Sequence, residues 1–344
     1  MPHGSAGISD ERLREEPTAR VVSRRSVLAS IPLAAFTMMA AGGCETNQPG
    51  TTEPPRTQSR LFGLAATGLE DATVQRSQAA TQQLGKHLDV LTVYDAFFWG
   101  KPLPTAFLDA AAAGGCTPEL TWEPWEPGAG KHQPAYTAAE IAGGRYDNYV
   151  RSWAKAAAAY DRRFLLRFAH EMNGDWYPWS VGAPGGSPED YVAAYRRVRG
   201  IFDDAGAKRV EWVWCPNVII NGDVDAISQC YPGDQFVDII GVDGYNFGDR
   251  VGHQWVQPAE LFANTVALVT RLAPGKPVWI NEVGCADSGG DKARWISDFF
   301  TWLVGTDIGG LIWFEVDGRP DEPDWRLTSS AATTAAAKSA LASW

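Results

Sequence analysis

Two glutamates stand out, because each follows a short apolar run that ends in polar residues. Glu171 lies just beyond Phe164-Leu165-Leu166-Arg167-Phe168, in the string Phe168-Ala169-His170-Glu171-Met172-Asn173-Gly174-Asp175-Trp176. Glu282 closes Pro277-Val278-Trp279-Ile280-Asn281 and is followed by Val283-Gly284. Two carboxyl groups in such matched settings suit work on a glycosidic bond, where one protonates the leaving oxygen and the other attacks the anomeric carbon. Enzymes that retain anomeric configuration hold the two about 5 to 5.5 Å apart. Glu171 then needs a dry or negatively charged setting to keep its proton near neutral pH, and Glu282 needs donors, such as Tyr245, that suit the carboxylate. The structural alternative is a Glu171 that caps the following turn or pairs with Arg167.

The neighbours of Glu171 suit a sugar pocket. His170, Asn173 and Trp176 all offer polar or flat aromatic surface, and tryptophan faces pack against the C–H faces of pyranose rings. The chain holds 15 tryptophans. Trp99, Trp122, Trp125, Trp176, Trp179, Trp214 and Trp313 fall near expected strand ends; each alone reads more readily as core, but as a group they favour an aromatic-lined cleft. Glu123, in Trp122-Glu123-Pro124-Trp125, and Asn217, in Trp214-Cys215-Pro216-Asn217, stand at strand ends too, where each reads equally as a sugar contact or as a loop anchor.

The elements that position these residues alternate. Short apolar or β-branched runs predict strands over 61–66, 88–94, 117–122, 163–169, 209–214, 236–242, 277–282 and 309–314, and helical patterns fall at 70–85, 103–114, 137–161, 187–206, 258–273, 289–304 and 328–343. Ser187-Pro188-Glu189 opens one of these helices and Gly206 closes it. Strand–helix alternation implies a parallel sheet with helical crossovers. Eight such strands over 61–344 predict a single-domain (β/α)8 TIM barrel, with Glu171 at the end of the fourth strand and Glu282 at the end of the seventh.

On these residues the chain resembles glycoside hydrolase family 26: His170-Glu171-Met172-Asn173-Gly174 with Trp176 five residues after the acid, and Glu282-Val283-Gly284 on the seventh strand. The resemblance spans most of 61–330. It implies a retaining endo-β-glycanase, with β-mannan the leading substrate and mixed-linkage β-glucan or β-1,3-xylan the alternatives. It implies Glu171 as acid/base and Glu282 as nucleophile, with His170 beside the acid and Trp176 lining the cleft. It further implies that Tyr245 bonds the nucleophile and that Trp313 lies under the sugar at the reacting subsite. One departure bears on the substrate: mannanases of the family carry Arg after the strand-eight tryptophan, where this chain has Phe314.

Residues 1–44 read as an export segment. Ser23-Arg24-Arg25-Ser26-Val27-Leu28 is a twin-arginine signal, and Ala41-Gly42-Gly43-Cys44 resembles a lipoprotein box with Cys44 as the acylated residue. Simple cleavage and free secretion is the rival reading. Residues 45–60 have the composition of a flexible tether, so the enzyme is expected outside the cell or on its surface, as a monomer touching membrane only through Cys44. Cys116, Cys215, Cys230 and Cys285 allow three disulfide pairings, of which Cys215–Cys230 is favoured because it pins the loop after the fifth strand. Their spacing suggests no metal site, and no cofactor is expected. A net charge of −11 argues against a nucleic acid partner and leaves a neutral polysaccharide unopposed. Two other classes fit the same pattern: a non-catalytic carbohydrate-binding lipoprotein and a transglycosylase acting on the producer's own envelope glycan.

Overall fold

The computed structural model describes residues 60–317 and 322–344. The twin-arginine string, the Cys44 box and the tether as far as residue 59 lie outside the described residues. Eight strands occur where the apolar runs predict them: β1 (Leu61–Ala65), β2 (Val90–Ala96), β3 (Thr117–Glu123), β4 (Phe164–Phe168), β5 (Val210–Trp214), β6 (Ile239–Asn246), β7 (Val278–Cys285) and β8 (Gly310–Phe314). Each pairs in parallel with the next, and β8 returns to β1, closing the barrel.

The strands read as nearly continuous apolar runs because both of their faces are covered. Alternate side chains enter the barrel, among them Val90, Leu165, Ile239, Trp279 and Ile312. Residues of the other parity, including Leu91, Leu166, Ile240, Ile280 and Leu311, pack outward under the helices. Trp279 fits inside the barrel because its neighbour on β8 is Gly310, where a Cβ would stand 2.6 Å from the indole.

The covering helices are α1 (Asp71–Leu84), α2 (Thr105–Ala113), α3 (Ala138–Ala142), α4 (Asp147–Tyr160), α5 (Pro188–Asp204), α6 (Asp225–Ser228), α7 (Pro258–Leu272), α8 (Lys292–Val304) and α9 (Ala331–Leu341). At the start of α5 the Ser187 hydroxyl accepts from the Asp190 amide and Pro188 occupies the first turn. The single helix expected over 137–161 is two, α3 and α4. Between them Gly143 and Gly144 end the first, Gly144 at φ +92, which a side chain would resist. Glu282 also differs from expectation: it lies within β7, which runs on to Cys285 alongside β6. Because all the strands run one way, the loops after β2, β3, β4 and β5 gather on one rim with the end of β7, and the candidate chemistry gathers there.

Candidate active site

The turn after β4 is shaped to present one acid. Ala169 and Glu171 both have positive φ, 48° and 53°, a conformation that costs a non-glycine residue about 1–2 kcal/mol. Backbone bonds Ala169 N to Trp122 O (3.2 Å) and Glu171 N to Cys215 O (2.7 Å) hold the turn to the neighbouring strands. From behind, the Tyr191 hydroxyl donates to Ala169 O at 3.1 Å and Trp179 Nε1 to His170 O at 2.8 Å. The result points the Glu171 carboxyl at two donors, Trp176 Nε1 at 2.6 Å on one oxygen and Asn217 Nδ2 at 2.7 Å on the other. Asn217 is fixed in turn by Asn173, whose side chain accepts from Asn217 N and donates to Asn217 O, both at 2.9 Å, in the manner of a strand pair.

Glu282 reaches the same cavity by a different device. The β6–β7 register runs Val242↔Ile280 and then Asp243↔Glu282, so Asn281 is an extra residue on β7. Such a bulge re-aims the side chains that follow it. Asn281 Nδ2 donates across the barrel to Glu119 at 3.0 and 3.1 Å. The next residue, Glu282, also turns inward, accepting from the Tyr94 hydroxyl at 2.5 Å, from the Tyr245 hydroxyl and from Arg167 Nη2. Arg167 is fully buried on β4. Its Nη1 donates to both oxygens of Asp243 at 3.1 and 2.9 Å, and its Nε and Nη2 donate to Thr121 at 2.9 and 2.7 Å. A guanidinium with this set of acceptors is a rigid base for the Glu282 carboxylate.

The two acids therefore sit in opposite settings. Burial, and next the charge of Glu282, push the Glu171 carboxyl up to about 7, against the weaker pull of its two donors and of Arg167. That is a carboxyl about half protonated at neutral pH, lining the same cavity as a Glu282 carboxyl bonded by two phenols and a guanidinium. Burial also pushes Asp243 and Glu119 up, with Arg167 opposing in both. Burial, with Arg167 adding to it, holds His170 well below its ordinary value, so its ring is neutral; the Tyr177 hydroxyl lies 3.3 Å from its Nε2. Ligand atoms of His170, Glu171 and Asp243 lie within 4.8 Å of one another, but both Asp243 oxygens already bond Arg167, whose charge opposes a cation there.

The cavity over these groups has a volume of about 440 Å³. Glu171, Glu282, Tyr94, Tyr245 and His170 line it, together with Trp99, Glu123, Trp125, Phe247, Phe314 and Trp325.

Known proteins resemble this chain to different extents. The model of glycosyl hydrolase family 26 matches residues 117–287, from the start of β3 to just beyond β7. Endoglucanase H of Acetivibrio thermocellus is 33% identical over 267 residues, which cover 75% of this chain and 28% of that protein. A mannan endo-1,4-beta-mannosidase of Bifidobacterium adolescentis is 31% identical over 178 residues, 46% of this chain and 17% of that protein. The chain thus spans less than a third of the length of either relative. The catalytic domain of a family 26 endo-beta-1,4-mannanase from Bacillus sp. JAMB-750 shares the fold, with a TM-score of 0.64 at 17% identity, over 82% of this chain and 85% of that one. The chain belongs to glycosyl hydrolase family 26.

Against the family pattern, this barrel brings His170, Glu171, Tyr245, Glu282 and Glu123 to the cavity, with Asn217 and the part-exposed Trp176 bonded to Glu171. Two expected contacts lie elsewhere. Trp122 is fully buried outside the barrel, stacked on Trp153 at 4.2 Å, and Trp313 is fully buried against Trp295 and Phe299, its Nε1 donating to Trp325 O at 2.8 Å. Both have the outward parity of their strands, and their inward neighbours, Glu123 and Phe314, line the cavity instead. Of the other tryptophans near strand ends, Trp99 and Trp125 line the cavity, whereas Trp179 and Trp214 are core. Arg167 pairs with Glu282 and Asp243 rather than Glu171. The expected Cys215–Cys230 bond is not formed: all four described cysteines are free and buried, and Cys215 Sγ donates to Asp243 at 3.0 Å. Sequence reasoning missed Tyr94, Asp243 and Trp325. Tyr94 shares the inward parity of Val90 and Thr92, a signal that was available; Trp325, in the loop after β8, offered none.

Proposed function

We propose that this family 26 barrel is a retaining endo-β-glycanase that hydrolyses a neutral polysaccharide by double displacement, with β-mannan as the leading substrate. The observation that carries the reading is the pair of opposite settings in one cavity: a carboxyl held protonated to about 7 at Glu171 and a carboxylate bonded by Tyr94, Tyr245 and Arg167 at Glu282. In the first step a Glu282 oxygen attacks the anomeric carbon, the glycosidic C–O bond breaks, and Glu171 gives its proton to the departing oxygen. Loss of that proton leaves Glu171 as a carboxylate, for which Trp176 Nε1 and Asn217 Nδ2 are ready donors. Water then attacks the glycosyl–Glu282 ester, Glu171 takes a proton from it, and the sugar leaves with its configuration retained.

The mannanase relatives support mannan. A second reading, mixed-linkage β-glucan, draws on two observations: Endoglucanase H matches over the greater share of this chain, and apolar Phe314 lines the cavity where mannanases carry Arg. The deciding experiment is reducing-end release by the full chain on galactomannan, mixed-linkage β-glucan and β-1,3-xylan, with Glu171→Ala and Glu282→Ala alongside. Release from one polymer that is lost in Glu282→Ala is expected, whereas full hydrolysis by both variants sinks the proposal. Twin-arginine export and acylation at Cys44 are proposed on sequence alone, and the mass of the Cys44 peptide from native membranes tests the anchor.

A further inference from the structure

One ionisable group inside the barrel takes no part in the hydrolytic step. Below the cavity, Glu119 on β3 is fully buried, in hydrogen-bond contact with the Thr92 hydroxyl on β2 and with Asn281 Nδ2 on β7, at 3.0 and 3.1 Å for the two carboxyl oxygens. The interior of such a barrel is ordinarily filled by branched apolar side chains, and an acid placed there loses its hydration.

The register shows what the acid holds. Thr92 pairs with Glu119 across β2 and β3, and two residues on Tyr94 pairs with Thr121. Tyr94 bonds Glu282, and Thr121 accepts from Arg167, which bonds Glu282 as well. The same two strands therefore meet β7 at two successive levels, the lower one at Asn281 and the one nearer the mouth at Glu282. These two residues are consecutive, and both turn inward only because of the bulge. Gly241 on β6 leaves the room this takes: a Cβ there would stand 2.7 Å from Asn281 Cβ and 2.6 Å from Cys215 Sγ. Asn281 Oδ1 is buried without a partner, so Glu119 alone bonds the Asn281 amide. Released from that bond, β7 is free to return to regular alternation, which sends Glu282 to the outward face.

We infer that Glu119 is a positioning residue for the nucleophile: through Asn281 it fixes the bulge that aims Glu282 into the cavity. The inference rests on the hydrolytic reading of Glu282. Glu119 does this as an uncharged acid. Three inward carboxyls, Glu119, Asp243 and Glu282, share one guanidinium, and Arg167 pairs with the last two; among the described residues no cationic side chain bonds Glu119. Burial pushes its carboxyl up, against Arg167, Thr92 and Asn281, and the charge of Glu282 adds to the rise. A neutral acid also fits the contacts, its carbonyl oxygen accepting from Asn281 Nδ2 and its O–H donating to the Thr92 oxygen.

The test compares the full chain with its Glu119→Gln and Glu119→Met variants on the polymer that the wild type hydrolyses. Glutamine keeps an acceptor for Asn281 and a donor for Thr92 at the same length and without charge; methionine fills the space and leaves the whole Asn281 amide unpaired. Glu119→Gln should keep kcat within about threefold and leave the pH dependence of kcat/KM in place. Glu119→Met should lose about 100-fold in kcat, the scale of a misplacement of about 1 Å, with KM within about threefold because the cavity wall is untouched. Wild-type kcat in Glu119→Met overturns the positioning role, and a Glu119→Gln as impaired as Glu119→Met overturns the uncharged form. If Glu119→Met does not fold, Asn281→Ala removes the held side chain from the other end and carries the same expectation. If the wild type hydrolyses nothing, the hydrolytic reading fails by itself, and crystal structures of the wild type and Asn281→Ala decide the positioning: a Glu282 carboxyl that leaves Tyr94 and Tyr245 in the variant supports it, and one that stays bonded to both refutes it.

Discussion

The donors around Glu171 make a quantitative claim about pH. With its carboxyl at about 7, Glu171 is about 90% protonated at pH 6 and about 10% at pH 8, so kcat/KM should fall roughly tenfold per pH unit on the alkaline side. Asn217 Nδ2, at 2.7 Å, and Trp176 Nε1, at 2.6 Å, each favour the ionised form and so hold this midpoint below where burial and Glu282 would put it. Asn217→Ala removes one donor. A hydrogen bond to a charged group is worth about 1.5–3 kcal/mol, and part of it persists to the neutral acid. The net rise expected is about one pH unit, since one unit corresponds to about 1.4 kcal/mol. The variant should thus be about half protonated at pH 8, and the ratio of its rates at pH 8 and pH 6 should exceed that of the wild type about fivefold, even as its limiting rate drops because the acid is less well oriented. The assay is initial reducing-end release at low substrate concentration from pH 5 to pH 9. A wild type with no alkaline limb between pH 6 and pH 8, or an Asn217→Ala limb that stays put or moves down, refutes the reasoning.

Three further outcomes follow from the same geometry. Tyr94→Phe and Tyr245→Phe each remove one donor from Glu282, and each should lower kcat/KM by about 10- to 100-fold; a loss under twofold in steady-state kinetics would place that phenol outside the reaction. Arg167→Met leaves Asp243 and Glu282 buried without their cation, which should cost about 3–5 kcal/mol in urea denaturation, part of it recovered in Arg167→Met with Asp243→Asn; equal stability of the single variant and wild type counts against the network. Trp313→Phe should cost about 1 kcal/mol through its bond to Trp325 O while KM stays within about twofold, because the ring faces α8; a KM raised tenfold or more would return that ring to the cleft.

Much of the architecture could be read from the chain because its signals are local. Eight apolar runs spaced by helical patterns give the barrel, and the two acids that the sequence sets at strand ends both line its cavity. What could not be read turns on parity. Trp122 and Trp313 stand at the ends of the right strands but face the helices, while Glu123 and Phe314, one residue on, face the mouth. A shift of one residue exchanges the two faces of a strand, so apolar runs read as strands at 117–122 and 309–314, with apolar residues on both faces, leave the direction of their last side chains open. Arg167 was visible beside Glu171 in the sequence, but its true partners lie on β6 and β7, which only closure of the sheet brings near. The break between α3 and α4 is written in Gly143-Gly144, a signal that the helical reading of 137–161 does not use.

Glu282 itself shows why strand parity alone is not enough. Ile280 packs outward under the helices, so strict alternation would send Glu282, two residues on, outward as well, away from Glu171. The extra residue at Asn281 reverses the parity. Asn281 keeps the inward direction set by Trp279, and the bulge returns Glu282 to the barrel, where Tyr94, Tyr245 and Arg167 meet it. The bulge is secured from inside by the bond of Asn281 to Glu119, a carboxyl buried below the cavity and raised by that burial. The direction of one acid thus depends on a polar pair deeper in the barrel. Here the core is polar where a fold-stabilising core would be apolar, because a bulged strand that carries a charged group inward needs partners for both residues it turns.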